Sequence, residues 1–296
     1  MSSEQLKTKT LLQKLNDFSE LVMFKHSVFS LPFIFIAMLV ASYRDSGTGW
    51  FGWKLLILGT LAAVTARNFA MGVNRYLDRD IDKLNPRTKG RPSVDGRVSD
   101  RQMIWFILLN ATGFVVVAYF VNALAFKLSI PILAILGAYT LFKRFSAAAH
   151  LVLGVSLGLA PIAGVVAVSG TVSLWSFYLA IGVMFWVAGF DLLYSLQDIE
   201  FDKRHGLHSI PSRFGAKRTM RFAQVFHLLT ILFWGLFVKE AALGVWASAA
   251  VVASGLMLTY EHYLVNKDFT KIDKAFFTVN GYLGFLFLIL ILPEVM

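Results

Sequence analysis

Residues 172–194 read VSLWSFYLAIGVMFWVAGFDLLY, and residues 195–202 continue as SLQDIEFD. The first run is long and apolar enough to cross a bilayer as a helix, because about 20 apolar residues cover the hydrocarbon core. It ends in a group of carboxylates, Asp191, Asp198 and Asp202. Carboxylates at the edge of a membrane are costly unless they hold a positive partner. This stretch therefore predicts a transmembrane helix that ends in a functional polar site.

Apolar segments of similar length recur along the chain and predict nine transmembrane helices. They cover approximately residues 27–43, 51–74, 103–121, 124–142, 148–169, 172–194, 219–238, 241–264 and 275–293. The composition agrees, since 57% of the residues are hydrophobic and only 16% are charged, whereas soluble domains carry about 25% charged residues. Strand-like alternation does not recur in the sequence, so a transmembrane barrel is not expected. The predicted fold class is an all-α membrane protein.

Basic residues are concentrated in alternate loops. They cluster in residues 1–26, 75–101, 143–144, 203–221 and 267–274. Because cytoplasmic loops of membrane proteins carry the excess of Lys and Arg, we expect the N-terminus and the polar site to face the cytoplasm. The predicted location is the cytoplasmic (inner) membrane, crossed several times. The formal net charge of +10 has the same origin, so a nucleic-acid partner is not expected.

A second acidic stretch, residues 74–82, reads NRYLDRDID and also lies between an apolar segment and a basic loop. Positions four residues apart share one face of a helix. The two predicted polar faces are Asn74, Asp78 and Asp82 in this stretch, and Tyr194, Asp198 and Asp202 in the later one. The chain has no Cys, and oxygen ligands suit Mg²⁺, which usually binds few carboxylates together with substrate phosphates. We therefore expect Mg²⁺ and a membrane-bound diphosphate substrate.

The two stretches and the element between them resemble the signatures of the UbiA superfamily of intramembrane prenyltransferases. The residues that carry the resemblance are Asn74, Asp78, Asp82, Asn85, Pro86, Arg87, Tyr139, Lys143, Asp191, Tyr194, Asp198 and Asp202. The resemblance implies a single transmembrane prenyltransferase domain over residues 27–296, after a cytoplasmic segment of residues 1–26. It implies that the helices surround a central cavity that opens to the cytoplasm and laterally to lipid.

The resemblance also implies how the diphosphate is bound. The implied ligands of Mg²⁺ and diphosphate are Asn74, Asp78, Asp82, Asp198 and Asp202. Arg87 and Lys143 are implied to touch the diphosphate, with Tyr139 and Tyr194 nearby. Among these residues and Asp191, we expect Asp78, Asp198, Asp191 and Lys143 to take part in catalysis.

Within the superfamily, residues 25–33 and 74–82 look most like the branch that transfers a polyprenyl group to 4-hydroxybenzoate during quinone biosynthesis. Arg67 lies deep in the second span, where an arginine is costly without an anionic partner. Its expected partner is either the carboxylate of an aromatic acid or Asp191. Asp191 or the departing diphosphate would take the ring proton. Both ubiquinone and menaquinone biosynthesis are consistent with this resemblance.

One residue departs from the pattern of the superfamily, and several alternatives stay open. Many members have Asp directly after the first Asn, whereas this chain has Arg75, which we expect to lie off the face of Asn74. The acceptor could instead be homogentisate, haem or a precursor of the futalosine pathway to menaquinone. A membrane transporter is a further alternative. Asp80 is expected to be solvated, and His26 and His150 are expected to lie at the membrane interface.

Overall fold

The computed structural model describes residues 10–23 and 31–296. The expectations for Lys25 and His26, and for residues 1–9, therefore lie outside the described residues. Within the described ranges, every regular element is a helix. The α-helices are α1 (Leu11–Leu21), α2 (Leu31–Ser46), α3 (Trp53–Leu77), α4 (Arg79–Leu84), α5 (Asp100–Val121), α6 (Ala123–Ala138), α7 (Ala149–Ser169), α8 (Leu174–Tyr194), α9 (Ile199–Arg204), α10 (Ile210–Glu240), α11 (Val245–Lys267), α12 (Ile272–Lys274) and α13 (Asn280–Val295).

The described helices confirm a helical membrane protein. Seven helical stretches among them are long and apolar enough to cross a membrane. These are Trp53–Leu77, Asp100–Val121, Ala123–Arg144, Ala149–Ser169, Leu174–Arg204, Ile210–Glu240 and Phe269–Val295. The two other predicted segments, 27–43 and 241–264, overlap α2 and α11. Neither of these helices is both long enough and apolar enough to be counted with the seven. The count of nine spans therefore stays a prediction.

A tightly packed core joins α2, α8, α10 and α13. Phe33, Trp186, Trp234 and Phe287 are fully buried, and the ring centroids of Phe33 and Trp234 are 5.2 Å apart. Trp234 reaches this core because Gly182 has no side chain, and a Cβ there would overlap the indole ring. Small residues let membrane helices approach closely where no hydrophobic force drives them together. This core holds α8 in place behind the cavity described below.

Helices α7 and α8 approach each other through glycines. A Cβ at Gly154 would overlap the carbonyl oxygen of Met184, and a Cβ at Gly158 would lie 2.8 Å from that of Ala180. Because residues four apart share a helical face, His150 lies on the same face of α7, one turn before Gly154. This packing places the start of α7 beside the end of α8.

Both acidic stretches interrupt their helices, which differs from the two continuous helical faces that the sequence predicts. Helix α3 ends at Leu77, and Asp78 has φ −90° and ψ 3° before α4 begins at Arg79. A 3₁₀ turn, Ser195–Asp198, separates α8 from α9. A second 3₁₀ segment, Tyr139–Arg144, follows α6. A change of helix type re-aims the side chains that follow it, so the acidic residues turn toward neighbouring elements.

Candidate active site

A cavity of about 900 Å³ follows α3 from Ala62 to Arg75. Most of its lining is apolar and includes the rings of Phe190, Phe276 and Phe277. The charged or hydrogen-bonding side chains in its wall are Glu20, Arg67, Asn74, Arg75, Arg87, Arg91, Tyr139, Ser156, Asp191, Tyr194 and Asp273. An apolar pocket with a few convergent polar groups is the usual form of a small-molecule site. The cavity can therefore hold a long apolar group whose polar head lies beside the acidic stretches.

In the first acidic stretch, Asp78 is buried and paired with a cation. Lys143 Nζ lies 2.5 Å from Asp78 Oδ2, and Asn74 Nδ2 donates to the same oxygen over 3.0 Å. Asp78 Oδ1 is buried and has no hydrogen-bond partner among the described residues. Burial raises the pKa of the Asp78 carboxyl, and the ammonium of Lys143 offsets part of this effect. Asp78 thus presents one oxygen that still needs a positive or hydrogen-bonding partner.

The next two carboxylates of this stretch turn in different directions. Arg91 Nη1 contacts both oxygens of Asp82, at 2.7 and 2.6 Å. Asp80 is exposed, as expected for a residue that points away from the site. It forms an ion pair with Arg144. The guanidinium of Arg144 lowers the pKa of the Asp80 carboxyl through this hydrogen bond. Asp82 is therefore the buried carboxylate of the pair, and Asp80 lies at the surface.

Arg75 follows Asn74 on α3, off the face that Asn74 was expected to share with Asp78 and Asp82, but its side chain still reaches Asn74. Its side chain is buried, and its Nη1 donates to Asn74 Oδ1 over 3.0 Å. Its Nε donates to the carbonyl oxygen of Leu21 over 3.3 Å. The reason is that Arg75 is long and follows Asn74 directly, so the guanidinium can fold back over the amide. As a result, the amide oxygen of Asn74 is already a hydrogen-bond acceptor.

In the second acidic stretch, Asp198 is paired with a residue of the loop after α4. Arg87 Nη2 lies 2.5 Å from Asp198 Oδ2, and Arg87 Nη1 donates to Tyr194 Oη over 3.0 Å. Asn85 Nδ2 also donates to Asp198 Oδ1 over 3.3 Å. Burial acts to lower the pKa of Arg87, but the charges of Asp198 and Tyr194 outweigh it and raise the pKa. This loop therefore brings the two acidic stretches together.

The outer members of the second stretch have other partners. Asp202 Oδ2 accepts a hydrogen bond from Ser209 Oγ over 2.7 Å. Asp191 Oδ2 lies 2.7 Å from His150 Nδ1, so His150, at the start of α7, is a direct partner of this cavity-lining carboxylate. Among the described contacts, Arg67 donates to the carbonyl oxygen of Met23 over 3.5 Å and does not pair with Asp191. The Nε of Arg67 is buried without a described partner.

The carboxylates of the site are interleaved with cations. No three carboxylate or histidine side chains of residues 10–23 and 31–296 form a ready metal centre. Three of the five expected ligands are instead paired with cations, Asp78 with Lys143, Asp82 with Arg91 and Asp198 with Arg87. Such a site can neutralise a diphosphate from several sides, because ammonium and guanidinium groups match phosphate oxygens.

The sequence left some of the site's residues without a role. His150 is one, because a single histidine at the start of an apolar segment carries no motif. Thr140 is another, and it accepts a hydrogen bond from Asn74 Nδ2 over 3.1 Å. Its position between Tyr139 and Lys143 could have indicated that it belongs to the site. Asp273 lines the cavity and has no sequence signal, because it lies in the three-residue helix α12.

Comparison with known proteins identifies the family. The sequence matches the UbiA prenyltransferase family over residues 30–290. The chain belongs to the UbiA prenyltransferase family. The enzyme is therefore a prenyltransferase and a multi-pass membrane protein, as the two motifs and the apolar helices predict.

Related proteins agree with this assignment. The enzyme is 29% identical over 236 residues to the 4-hydroxybenzoate octaprenyltransferase of Herminiimonas arsenicoxydans, covering 78% of this chain and 81% of the relative. It is 30% identical over 242 residues to the protein of the same name from Paracidovorax citrulli (strain AAC00-1), covering 80% of each. The apo structure of a UbiA homolog from Aeropyrum pernix K1 superposes with a TM-score of 0.82 at 31% identity, covering 92% of this chain and 98% of that one.

Proposed function

We propose that the enzyme transfers a polyprenyl group from a polyprenyl diphosphate to the ring of 4-hydroxybenzoate, or of a similar aromatic acid, in ubiquinone or menaquinone biosynthesis. One observation carries this proposal. The cavity of about 900 Å³ is mostly apolar, and Arg87, Asn74 and Asp191 line it beside the paired carboxylates. The names of the two relatives above, which are 29% and 30% identical, support the acceptor.

The proposed cofactor is Mg²⁺. The residues fit this ion, because the candidate ligands offer only oxygen and Asp78 Oδ1 is buried without a described partner. A UbiA homolog from Archaeoglobus fulgidus with a similar fold, at a TM-score of 0.71 and 18% identity, is known bound to GPP and Mg²⁺. The proposed ligands are Asn74, Asp78, Asp82, Asp198 and Asp202. The amide oxygen of Asn74 accepts a hydrogen bond from Arg75 and has a second lone pair for the ion.

The chain's own cations would receive the diphosphate head. When bound, Mg²⁺ would supply a positive charge that stabilises the departing diphosphate. Lys143 and Arg87 form ion pairs with Asp78 and Asp198 in this structure. When the substrate binds, they would contact the phosphate oxygens, with Tyr139 and Tyr194 beside them. These contacts strengthen as negative charge builds on the leaving group, and such strengthening accelerates the chemical step. Asp78, Asp198 and Lys143 would thus act in catalysis.

The acceptor would lie deeper along α3. The carbon–oxygen bond to the diphosphate would break, and the ring carbon next to the hydroxyl of 4-hydroxybenzoate would form a bond to the allylic carbon. Arg67 would orient the acid's carboxylate, since its Nε is buried without a described partner. Asp191 would take the proton that leaves the ring. The rings of Phe190 and Phe276 would keep water from the allylic cation.

The proposed setting is the cytoplasmic (inner) membrane. Residues 27–296 would form one domain of nine spans, and the N-terminus and the polar end of the cavity would face the cytoplasm. The basic loops support this orientation. The cavity would open to the cytoplasm for the aromatic acid and laterally to lipid for the prenyl tail.

A transfer assay tests the function. Membranes that contain the enzyme are incubated with radiolabelled 4-hydroxybenzoate and geranyl diphosphate, with Mg²⁺ or with EDTA. We expect label in the organic phase only with Mg²⁺. Binding of geranyl diphosphate without any transfer would overturn the acceptor and leave the family unaffected. Transfer in EDTA at an unchanged rate would overturn the role of Mg²⁺.

A further inference from the structure

A buried histidine stands directly behind one carboxylate of the cavity wall. His150 Nδ1 lies 2.7 Å from Asp191 Oδ2, and the exposed fractions of the two side chains are 6% and 24%. Asp191 lines the cavity, whereas His150 is not among the lining residues. The other ring nitrogen, Nε2, is buried without a hydrogen-bond partner in the described part of the chain. The imidazole thus contacts the carboxylate from the side away from the cavity.

The position of this pair follows from the packing of α7 on α8. His150, Gly154 and Gly158 occupy one face of α7, because they are spaced four residues apart. The glycines bring this face against the carbonyl groups of Met184 and Ala180. Asp191 lies two helical turns beyond Met184, on the corresponding face of α8. The distance between the imidazole and the carboxylate is therefore set by a rigid helix contact.

A histidine partner gives a carboxylate different chemistry from an arginine partner. A guanidinium keeps its positive charge throughout and would form a permanent ion pair with the carboxylate. A neutral imidazole can donate Nδ1–H to one carboxylate oxygen, fix its orientation, and leave the other oxygen able to accept a proton. Arg67, the alternative partner from the sequence, has no described contact with Asp191. The carboxylate is thus held by an imidazole and not by a permanently charged guanidinium.

We propose that His150 is a positioning residue that holds Asp191 toward the acceptor, so that Asp191 accepts the proton released from the aromatic ring. This inference rests on the proposed prenyl transfer to an aromatic acid. In the step, the ring carbon–hydrogen bond breaks, its electron pair restores the aromatic ring, and the proton passes to Asp191. His150 keeps its own proton on Nδ1 and touches neither substrate.

Three variants and one control test the proposal. His150→Leu removes the donor, His150→Asn keeps an N–H near the place of Nδ1, and Asp191→Asn removes the proton acceptor. His205→Leu is the matched control, because His205 is exposed and its ring contacts Phe201, through a hydrogen bond to the carbonyl oxygen and by stacking, and not a carboxylate of the site. Binding of geranyl diphosphate, followed by tryptophan fluorescence, reports whether each variant is folded.

We expect His150→Leu to lower kcat about tenfold or more, as the loss of such an orienting partner usually does, with the KM for geranyl diphosphate unchanged. His150→Asn should recover part of this loss, and His205→Leu should match the wild type. The double variant with His150→Leu and Asp191→Asn should be no slower than Asp191→Asn alone, because residues that act through each other are not additive.

Different results would overturn different statements. Multiplied losses in the double variant, or no recovery in His150→Asn, would overturn the positioning role. Equal loss of geranyl diphosphate binding in both His150 variants would mean that His150 has only a structural role. If the wild type transfers the prenyl group and His150→Leu does so at the same rate, this inference is overturned and the proposed function is not. Absence of transfer by the wild type would overturn the proposed acceptor, and this inference with it.

Discussion

The two acidic stretches look alike in sequence but differ in their surroundings. Asp78, in the first, has a side chain that is only 2% exposed, and its cation Lys143 comes from the segment after α6. Asp198, in the second, is 19% exposed, and its cation Arg87 comes from the loop that follows the first stretch. Asp78 is therefore stabilised in the protein interior by its cation, whereas water can solvate part of Asp198.

This difference separates two tasks. When one partner of a buried ion pair is removed, the other charge is left unpaired, so loss of the buried carboxylate is expected to lower stability as well as function. A carboxylate that water can reach loses less when its partner leaves. The first stretch thus joins structure and chemistry, and the second is freer to exchange partners during substrate binding.

Loss of the central carboxylates should have the largest effect. We expect Asp78→Ala and Asp198→Ala each to lower turnover on the order of 1,000-fold, because removal of charge stabilisation at the leaving group has effects of that size. Asp78→Ala should also destabilise the protein by about 2 kcal/mol, since hydrogen bonds to charged groups contribute that much. Asp198→Ala should leave stability nearly unchanged. Transfer assays and thermal unfolding in detergent measure both effects.

The control for this prediction lies in the same stretch. Asp80→Ala removes a carboxylate that is exposed and paired with Arg144, so turnover should stay within about twofold of the wild type. Equal losses of stability in Asp78→Ala and Asp198→Ala would contradict the distinction between the two stretches. Normal turnover in either variant would contradict their role in catalysis.

Two of the arginines that line the cavity, Arg67 and Arg87, should separate the two substrates. We expect Arg67→Leu to raise the KM for 4-hydroxybenzoate about tenfold to hundredfold, because a charge-assisted hydrogen bond to the carboxylate is lost. The KM for geranyl diphosphate should not change. Arg87→Leu should show the reverse pattern. Steady-state kinetics with each substrate varied in turn would reveal the pattern, and a rise of both KM values in Arg67→Leu would contradict a site divided along α3.

The second stretch should depend on the close packing of α7 on α8. Gly154→Ala should destabilise the protein by about 1–3 kcal/mol, because the added methyl group overlaps Met184 and overpacking costs this much. Gly235→Ala is the matched control, since a Cβ at Gly235 meets nothing within 4 Å. Thermal unfolding should show a clear loss for the first variant only. A similar melting temperature for both would argue against tight packing of α7 on α8.

The smallest effect should come from the surface ion pairs of Arg97, in the loop before α5. Arg97 Nη1 lies 2.5 Å from Glu20 Oε2, and Arg97 Nε lies 2.7 Å from Asp95 Oδ2. The hydrogen bonds to Glu20 and Asp95 raise the pKa of Arg97, so it stays charged at any ordinary pH. Exposed pairs are worth about 0.2–1 kcal/mol, so Arg97→Ala should destabilise the protein only to that extent.

Salt provides the test of that last expectation. Because surface charges are screened at high ionic strength, the difference between Arg97→Ala and the wild type should shrink as salt is added. Unfolding curves at low and high salt would show this change. A difference that does not depend on salt would mean that Arg97 acts through packing instead of charge.

The helices and the polar end of the site could be predicted from the sequence, whereas the contacts within that end could not. Hydropathy over about 20 residues indicates a span whatever its neighbours are, and each predicted segment overlaps a described helix. The helical faces were predicted less well, because Asp78 and the turn before Asp198 leave the regular helix. Local spacing predicts a continuous face only while the helix continues.

The sequence by itself determined that this chain is a helical membrane protein with acidic clusters at the ends of two spans, because these features depend on residues close together in the chain. Only the tertiary structure decided which cation meets which carboxylate. Arg87 reaches Asp198 across 111 positions, and His150 reaches Asp191 across 41. Such pairs form because glycines, kinks and loops bring helices to particular distances, and these distances arise from the packing of the whole chain.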